Sequence, residues 1–179
     1  MSKNLYPYRR FPTIQAEPTS RAVRGTDAVK NKLHDLCLER DKSIITIECY
    51  PGVNDAEILS LFPKAALIIH ADELAIAPAE LDAKIEHELT DDNVFGIMTT
   101  WRLLDFYPSE ALCAAQKKIN AVESGLVIVY GVGASLVTRG DVLIYADLTR
   151  WEVQLRFRKG QDNWHTARHG LPQRAKYKR

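Results

Sequence analysis

The residues best placed for chemistry form the run Ile44-Ile-Thr-Ile-Glu-Cys-Tyr-Pro-Gly-Val-Asn-Asp-Ala-Glu-Ile58: an apolar stretch, a glycine turn and a polar helix start. That order fits the phosphate-gripping pattern G-x-x-x-x-G-K-[ST], in which backbone N–H groups wrap phosphates, lysine neutralises the terminal ones and the hydroxyl holds a metal. On that frame Cys49 takes the first glycine, Asn54 the second, Asp55 the lysine and Ala56 the hydroxyl position. A carboxylate about 5 Å from a phosphate charge, at an effective dielectric of about 20, repels by roughly 3 kcal/mol where lysine would attract by as much. The pattern predicts a loop (Gly52, Val53, Asn54, Asp55, Ala56) that keeps backbone amides for an anion but has lost the groups for ordinary ATP binding.

Three further places belong with it. Asp72 follows the apolar run Ala65–His70 and is the candidate general base, a helix cap being the bland alternative; Gly131-Val-Gly133 follows Leu126–Tyr130; and Asp147–Arg150 follows Val142–Ala146. Gly131 and Gly133 add anion-binding amides, although the third glycine of a dinucleotide fingerprint is missing. Arg150, Arg156 and Arg158 are candidate anion clamps. The pair His165-x3-His169 has metal-ligand spacing on a helix but no carboxylate or thiolate companions, so no metal is expected.

The elements that must position these groups alternate. A helix from Thr26 or Asp27 to about Arg40 carries the stripe Val29, Leu33, Leu36 and Leu38, and a buried strand covers Ser43–Glu48. A second helix runs from about Asn54 to Phe62, before Pro63, and a second strand covers Ala65–His70. Pro78 opens a third helix with Leu81, Ile85 and Leu89 on one face. Val94–Phe106 reads as strand or irregular, and Pro108-Ser109 begins a long helix that Gly125 stops. Four short apolar runs between helices predict an α/β domain on a mainly parallel sheet with helices on both faces. Ligands of such sheets bind outside the C-terminal strand ends, so the four loops should surround one crevice. Trp151, Val153, Leu155 and Phe157 alternate as in a strand, whereas a helix would put Arg150, Gln154 and Arg158 on one face.

At 179 residues, 46% hydrophobic and 26% charged, the chain fits one globular domain at 26–160, preceded by an extended arm at 1–25 with Pro7, Pro12 and Pro18 and followed by a basic tail at 161–179. No apolar run approaches the ~18 residues that span a bilayer, so a cytoplasmic protein without membrane contact is expected. Cys37, Cys49 and Cys113 are odd in number and far apart, which disfavours disulfides and a zinc finger. The net charge of +1 hides an asymmetry: residues 150–179 hold nine Lys/Arg against Glu152 and Asp162, or +7, leaving −6 for the rest. Nucleic acid is not the expected partner, because no aromatic-interleaved or helix-turn-helix pattern accompanies the basic end.

In element order the chain resembles P-loop kinases of the uridine kinase type, with Asp72, Val127-Ile-Val-Tyr-Gly131, Ile144-Tyr-Ala-Asp147 and Arg150-x5-Arg156-x-Arg158 at the corresponding places. The phrases Cys49-Tyr-Pro-Gly-Val53, Thr90-Asp-Asp-Asn-Val-Phe-Gly96, Val129-Tyr-Gly-Val-Gly-Ala-Ser-Leu136 and Asp147-Leu-Thr-Arg-Trp-Glu-Val-Gln-Leu-Arg-Phe-Arg158 look like the N-terminal kinase-like domain of bacterial class I mannose-6-phosphate isomerase-like proteins. This second resemblance runs from about Tyr8 to the end and implies a P-loop-kinase-like three-layer fold. No cofactor is expected. With the lysine and hydroxyl of the loop lost, the expected function is that of a degenerate, non-catalytic domain that binds a phosphorylated metabolite, an isomerase domain or a second copy in sugar-phosphate metabolism. The alternative it leaves open is an active phosphotransferase on a sugar or nucleoside, with Asp72 as base and a lid helix carrying the three arginines. The zinc-binding cupin that isomerises the sugar has no counterpart here, since the five histidines are scattered, so isomerase activity is not expected of this chain. The basic ending Lys176-Tyr-Lys-Arg179 reads as the end of a truncated or split product.

Overall fold

The computed structural model describes residues 13, 22–37, 40–92 and 95–176, apart from the side chain of Arg174. The expected N-terminal arm lies almost wholly outside the described residues, as do Leu38 of the first helical stripe and two residues of the phrase at 90–96.

Four parallel strands, β1 (Lys42–Cys49), β2 (Leu67–His70), β3 (Gly125–Gly131) and β4 (Val142–Ala146), form one sheet in the order β2-β3-β1-β4. β1 is flanked on both sides, with Thr46 opposite Val129 of β3 and Leu143 of β4. The β-branched runs that read as strands in the sequence are the ones that need apolar cover on both faces. On one face Ile45, Ile47, Cys49, Ile128 and Tyr130 pack with Leu33 and Cys37 of α1 (Thr26–Cys37), Ile58 of α2 (Asp55–Leu59) and Phe62. On the other, Ile69, Val127 and Val129 pack under Leu112, Ala115 and Ile119 of α4 (Ser109–Ala121) and Ala134 and Val137 of α5 (Ala134–Val137). The result is a three-layer α/β fold.

α3 (Pro78–Leu89) begins with proline at a position whose N–H has no helical partner in any case, and buries Leu81. Residues 95–102 are irregular and lead into a 3₁₀ turn at Leu103–Phe106. The alternating stretch at 150–158 is helical, α6 (Arg150–Arg158). Its start is fixed by Thr149, whose hydroxyl accepts the Glu152 N–H at 3.2 Å, a capping bond that alternation alone does not reveal.

Residues 161–176, which read as tail, lie packed against the domain and end in α7 (Gln173–Lys176). Asp82 of α3 is buried, and a buried carboxylate needs donors. Thr166 Oγ1 and the Ala167 N–H supply them at 3.2 and 2.9 Å, while Arg168 reaches Glu86 at 2.7 Å. Among the described residues no helix is long and apolar enough to cross a membrane.

Candidate functional site

The candidate residues gather outside the C-terminal ends of β2, β3 and β1, the side of a parallel α/β sheet where ligands bind. The turn after β1 is drawn tight by its own backbone: Tyr50 N–H donates to Ala146 O at 2.8 Å, Val53 N–H to Tyr50 O at 3.1 Å, and Gly52 takes a φ of +98°. Asn54 caps α2, its Oδ1 accepting the Glu57 N–H at 3.1 Å. Asp55, which the motif frame puts at the lysine position, lies 3.7 Å from His70 Nε2, and Ala56 is exposed with nothing to offer a metal.

His70, at the end of β2, lies flat on Tyr130 with ring centroids 4.5 Å apart and planes 3° from parallel. Its Nε2 is also 3.5 Å from Asp72 Oδ2, and its Nδ1 is 3.8 Å from Glu73. These are ion-pair distances, and the buried Nε2 makes no hydrogen bond of good geometry. The Asp72 carboxylate foremost, with Asp55 and Glu73 adding to it, raises the His70 pKa against the opposing effect of burial. Burial, with the same carboxylates adding to it, pushes the Tyr130 hydroxyl up to about 12, and burial, with Asp55, Asp72 and Glu48 adding to it, pushes the Cys49 thiol up to about 11. Burial thus disfavours the thiolate of Cys49, the form that reacts.

The glycine turn after β3 is already filled. Asp72 Oδ1 accepts the Val132 N–H at 2.7 Å, and the two oxygens of Glu48 accept the Gly133 and Ser135 N–H groups at 2.6 and 2.8 Å. Tyr107 donates its hydroxyl to Val132 O at 2.6 Å from below. Gly131 and Gly133 have φ of +114° and +77°, and a Cβ on them would lie 2.6 Å from Asp72 Oδ1 and 2.9 Å from the Tyr107 ring. Of the two amides expected to receive an anion, that of Gly133 thus holds the chain's own Glu48, and its neighbours Val132 and Ser135 hold Asp72 and Glu48.

The arginines diverge. Arg156 donates to Gly52 O at 2.7 Å and to Glu152 at 2.9 Å, so it braces the β1–α2 turn. Arg158 lies 5.5 Å from the centre of the Trp151 ring. Arg150 lines a cavity of about 430 Å³ with Tyr50, Pro51, Phe157, Asn163 and Lys176. Asp147 begins the turn that leads into this wall. His165 meets Ile76 O at 2.7 Å and His169 meets Asp162 at 2.9 Å, so the two histidines serve different partners. Among the described residues no group of three or more His, Cys, Asp or Glu side chains is arranged to hold a metal.

Sequence reasoning placed Asp55 and Asp72 at the crevice but passed over Glu48, His70, Tyr107 and Tyr130 as site residues. Glu48 had a signal: it is the one charged residue in the otherwise uncharged Ser43–Cys49 stretch, where even a half-buried carboxylate must find donors. Tyr107 had none, because its partner lies 25 residues away across a fold contact.

Residues 25–179 match the family described as a domain of unknown function, DUF8485, and the chain belongs to that family. No curated protein and no solved structure matches it. The kinase and isomerase resemblances therefore rest on the residues quoted for them.

Proposed function

We propose that this chain is a degenerate, non-catalytic domain of P-loop-kinase-like architecture that binds a small phosphorylated metabolite, and that the ligand sits beside α6 rather than in the ancestral phosphate loop. The observation that carries the reading is Asp55 at the lysine position, 3.7 Å from His70 in a crevice that also gathers Asp72 and Glu73. A transferring phosphate needs positive charge there, and each preorganised contact of that kind is worth about 10²–10³ in rate. Carboxylates occupy the place instead.

The cavity beside α6 offers better chemistry for an anion. Arg150 brings positive charge and Tyr50 and Phe157 flat apolar walls, while the two other polar residues lining it are engaged within the fold: the buried Lys176 ammonium pairs with Asp162 at 3.2 Å, and the Asn163 amide donates to Lys176 O at 2.6 Å. The resemblance to isomerase-like proteins favours sugar phosphates as the class. The alternative, an active phosphotransferase, draws on one observation: Asp72 is held at the strand end with a histidine 3.5 Å away, as a general base would be.

Thermal-shift and calorimetric titration with sugar phosphates, nucleoside monophosphates and Mg-ATP separates these readings. A sugar phosphate should raise the melting temperature of the wild type and do so less for Arg150→Ala. Micromolar Mg-ATP binding with turnover to ADP would replace the first reading with the second, and no response to any phosphate would remove both.

A further inference from the structure

β4 is an outer strand, hydrogen-bonded to β1 alone within the sheet. Apart from that ladder, the backbone bond it makes among the described residues is Ala146 O with Tyr50 N–H, at its very end. An outer strand is a row of unsatisfied donors and acceptors, and proteins blunt such rows with lysines, prolines, bulges or a covering element. Val142-Leu-Ile-Tyr-Ala146 has no charge and no proline.

Its two faces differ. Val142, Ile144 and Ala146 pack against the core that contains Ile45 and Ile47. Leu143 and Tyr145, on the opposite face beside Thr46 and Glu48, are 52% and 61% exposed. Parallel sheets ordinarily cover both faces.

We propose that β4 pairs with β4 of a second copy of the chain, antiparallel about a two-fold axis through Ile144, to join two sheets into one continuous sheet. Side chains alternate along a strand, so this register keeps the faces in phase. Leu143 meets Tyr145 of the second copy twice on the open face, the aliphatic–aromatic pairing that stabilises neighbouring strands. On the covered face Val142 meets Ala146. A shift by two residues leaves an end of each five-residue strand without an apolar partner.

The charges at the ends suit the same arrangement. Asp141 falls opposite Asp147 of the second copy, which alone would repel. Asp141 is already neutralised, however: it accepts from Arg40 at 2.6 Å and from the Ile44 N–H at 2.8 Å. With Arg40 spent on Asp141, the exposed Arg139, two residues before Asp141, is the cation at the end that Asp147 of the second copy would face. An interface made from one short strand is small, so the dimer should dissociate on dilution.

Sedimentation velocity on the full chain, from low micromolar to near-millimolar concentration, should show a concentration-dependent monomer–dimer equilibrium. The variant Leu143→Lys/Tyr145→Lys places like charges opposite one another on exposed positions and should raise the dimer dissociation constant by about tenfold or more with the circular dichroism spectrum unchanged. A second measurement is independent of that variant's folding. In a Cys113→Ser background, Leu143→Cys/Tyr145→Cys should give a disulfide-linked dimer on mild oxidation, whereas Leu143→Cys alone should not, because position 143 faces position 145 and not itself. A wild type that stays monomeric throughout, a dimer indifferent to the paired lysines, or equal cross-linking by the single and double cysteine variants would each overturn the proposal.

Discussion

Glu48 reaches from the end of β1 to the turn after β3 and holds the Gly133 and Ser135 N–H groups, one on each carboxylate oxygen, at 2.6 and 2.8 Å. The turn has the form of an anion nest, with successive amides converging and left-handed glycines, but the anion is part of the chain. Two bonds to a charged acceptor tie neighbouring strand ends together.

Glu48→Ala should therefore cost stability and uncover a site. Two partly buried donors lose their acceptor, for an expected loss of about 2 kcal/mol. For a chain of this size that corresponds to a fall of roughly 4–8 °C in melting temperature. Sulfate or phosphate should then restore part of the loss in the variant while moving the wild type less at this site, and differential scanning calorimetry across an anion series reads both effects. Equal anion responses in the two proteins would show that the turn is not an occupied nest.

The strands were legible because apolar β-branched runs such as Ile44–Ile47 and Val127–Val129 admit few other readings, and both became fully paired strands. α2 was legible as a helix start but not in length, ending at Leu59 rather than near Phe62. α5 and α7, of four residues each, are too short to show a period. The site was half visible: Asp55 and Asp72 stood out from a motif frame, but self-occupation of the glycine turn depends on Glu48 pairing across 85 residues of sequence. Local spacing holds no record of such a contact.

Gly131→Ala and Gly133→Ala should both destabilise, through different neighbours. At Gly131 an added methyl would sit 2.6 Å from Asp72 Oδ1 with φ at +114°, so it strains the backbone and displaces the carboxylate that holds Val132. At Gly133 it would meet the Tyr107 ring at 2.9 Å. Left-handed strain alone costs about 1–2 kcal/mol, and the close contacts add to it. In Gly133→Ala, a second change of Tyr107→Leu should recover some of the loss, because it removes the ring atoms in the way. Chemical denaturation of the single and double variants checks this, and no recovery would mean that backbone strain outweighs the clash.

His70 makes stability depend on pH with a defined sign. Its folded-state pKa is raised, chiefly by Asp72, and the groups that face it are Asp55, Asp72, Glu73 and the Tyr130 ring. A raised pKa means that the native state binds the proton more tightly than the unfolded chain. The stabilisation is then complete below the unfolded value of about 6.5 and fades as pH rises through the folded value. The stability difference between wild type and His70→Gln, measured by urea denaturation, should accordingly be larger at pH 6 than at pH 9, where a pH-independent difference would show that the carboxylates do not hold the imidazolium.

Arg150 and Arg156 should separate ligand binding from structure. Arg156 is largely buried and spends its donors on Gly52 O and Glu152, with Glu57 at 3.8 Å, so its loss leaves the β1–α2 turn unbraced. A charge-assisted bond to a partly buried carbonyl is worth about 1–3 kcal/mol, and Arg156→Ala should lose an amount in that range. Any loss of anion response in Arg156→Ala should be no larger than the loosened turn accounts for. Arg150 instead lines the cavity beside Tyr50 and Phe157. Under the proposed reading, Arg150→Ala should remove most of any stabilisation by sugar phosphates, over and above whatever change it makes to denaturant stability without ligand. Both quantities come from one set of urea titrations with and without ligand. If Arg156→Ala abolishes the ligand effect at unchanged intrinsic stability, the phosphate lies over the β1–α2 turn after all, and Arg156 must leave Gly52 to reach it.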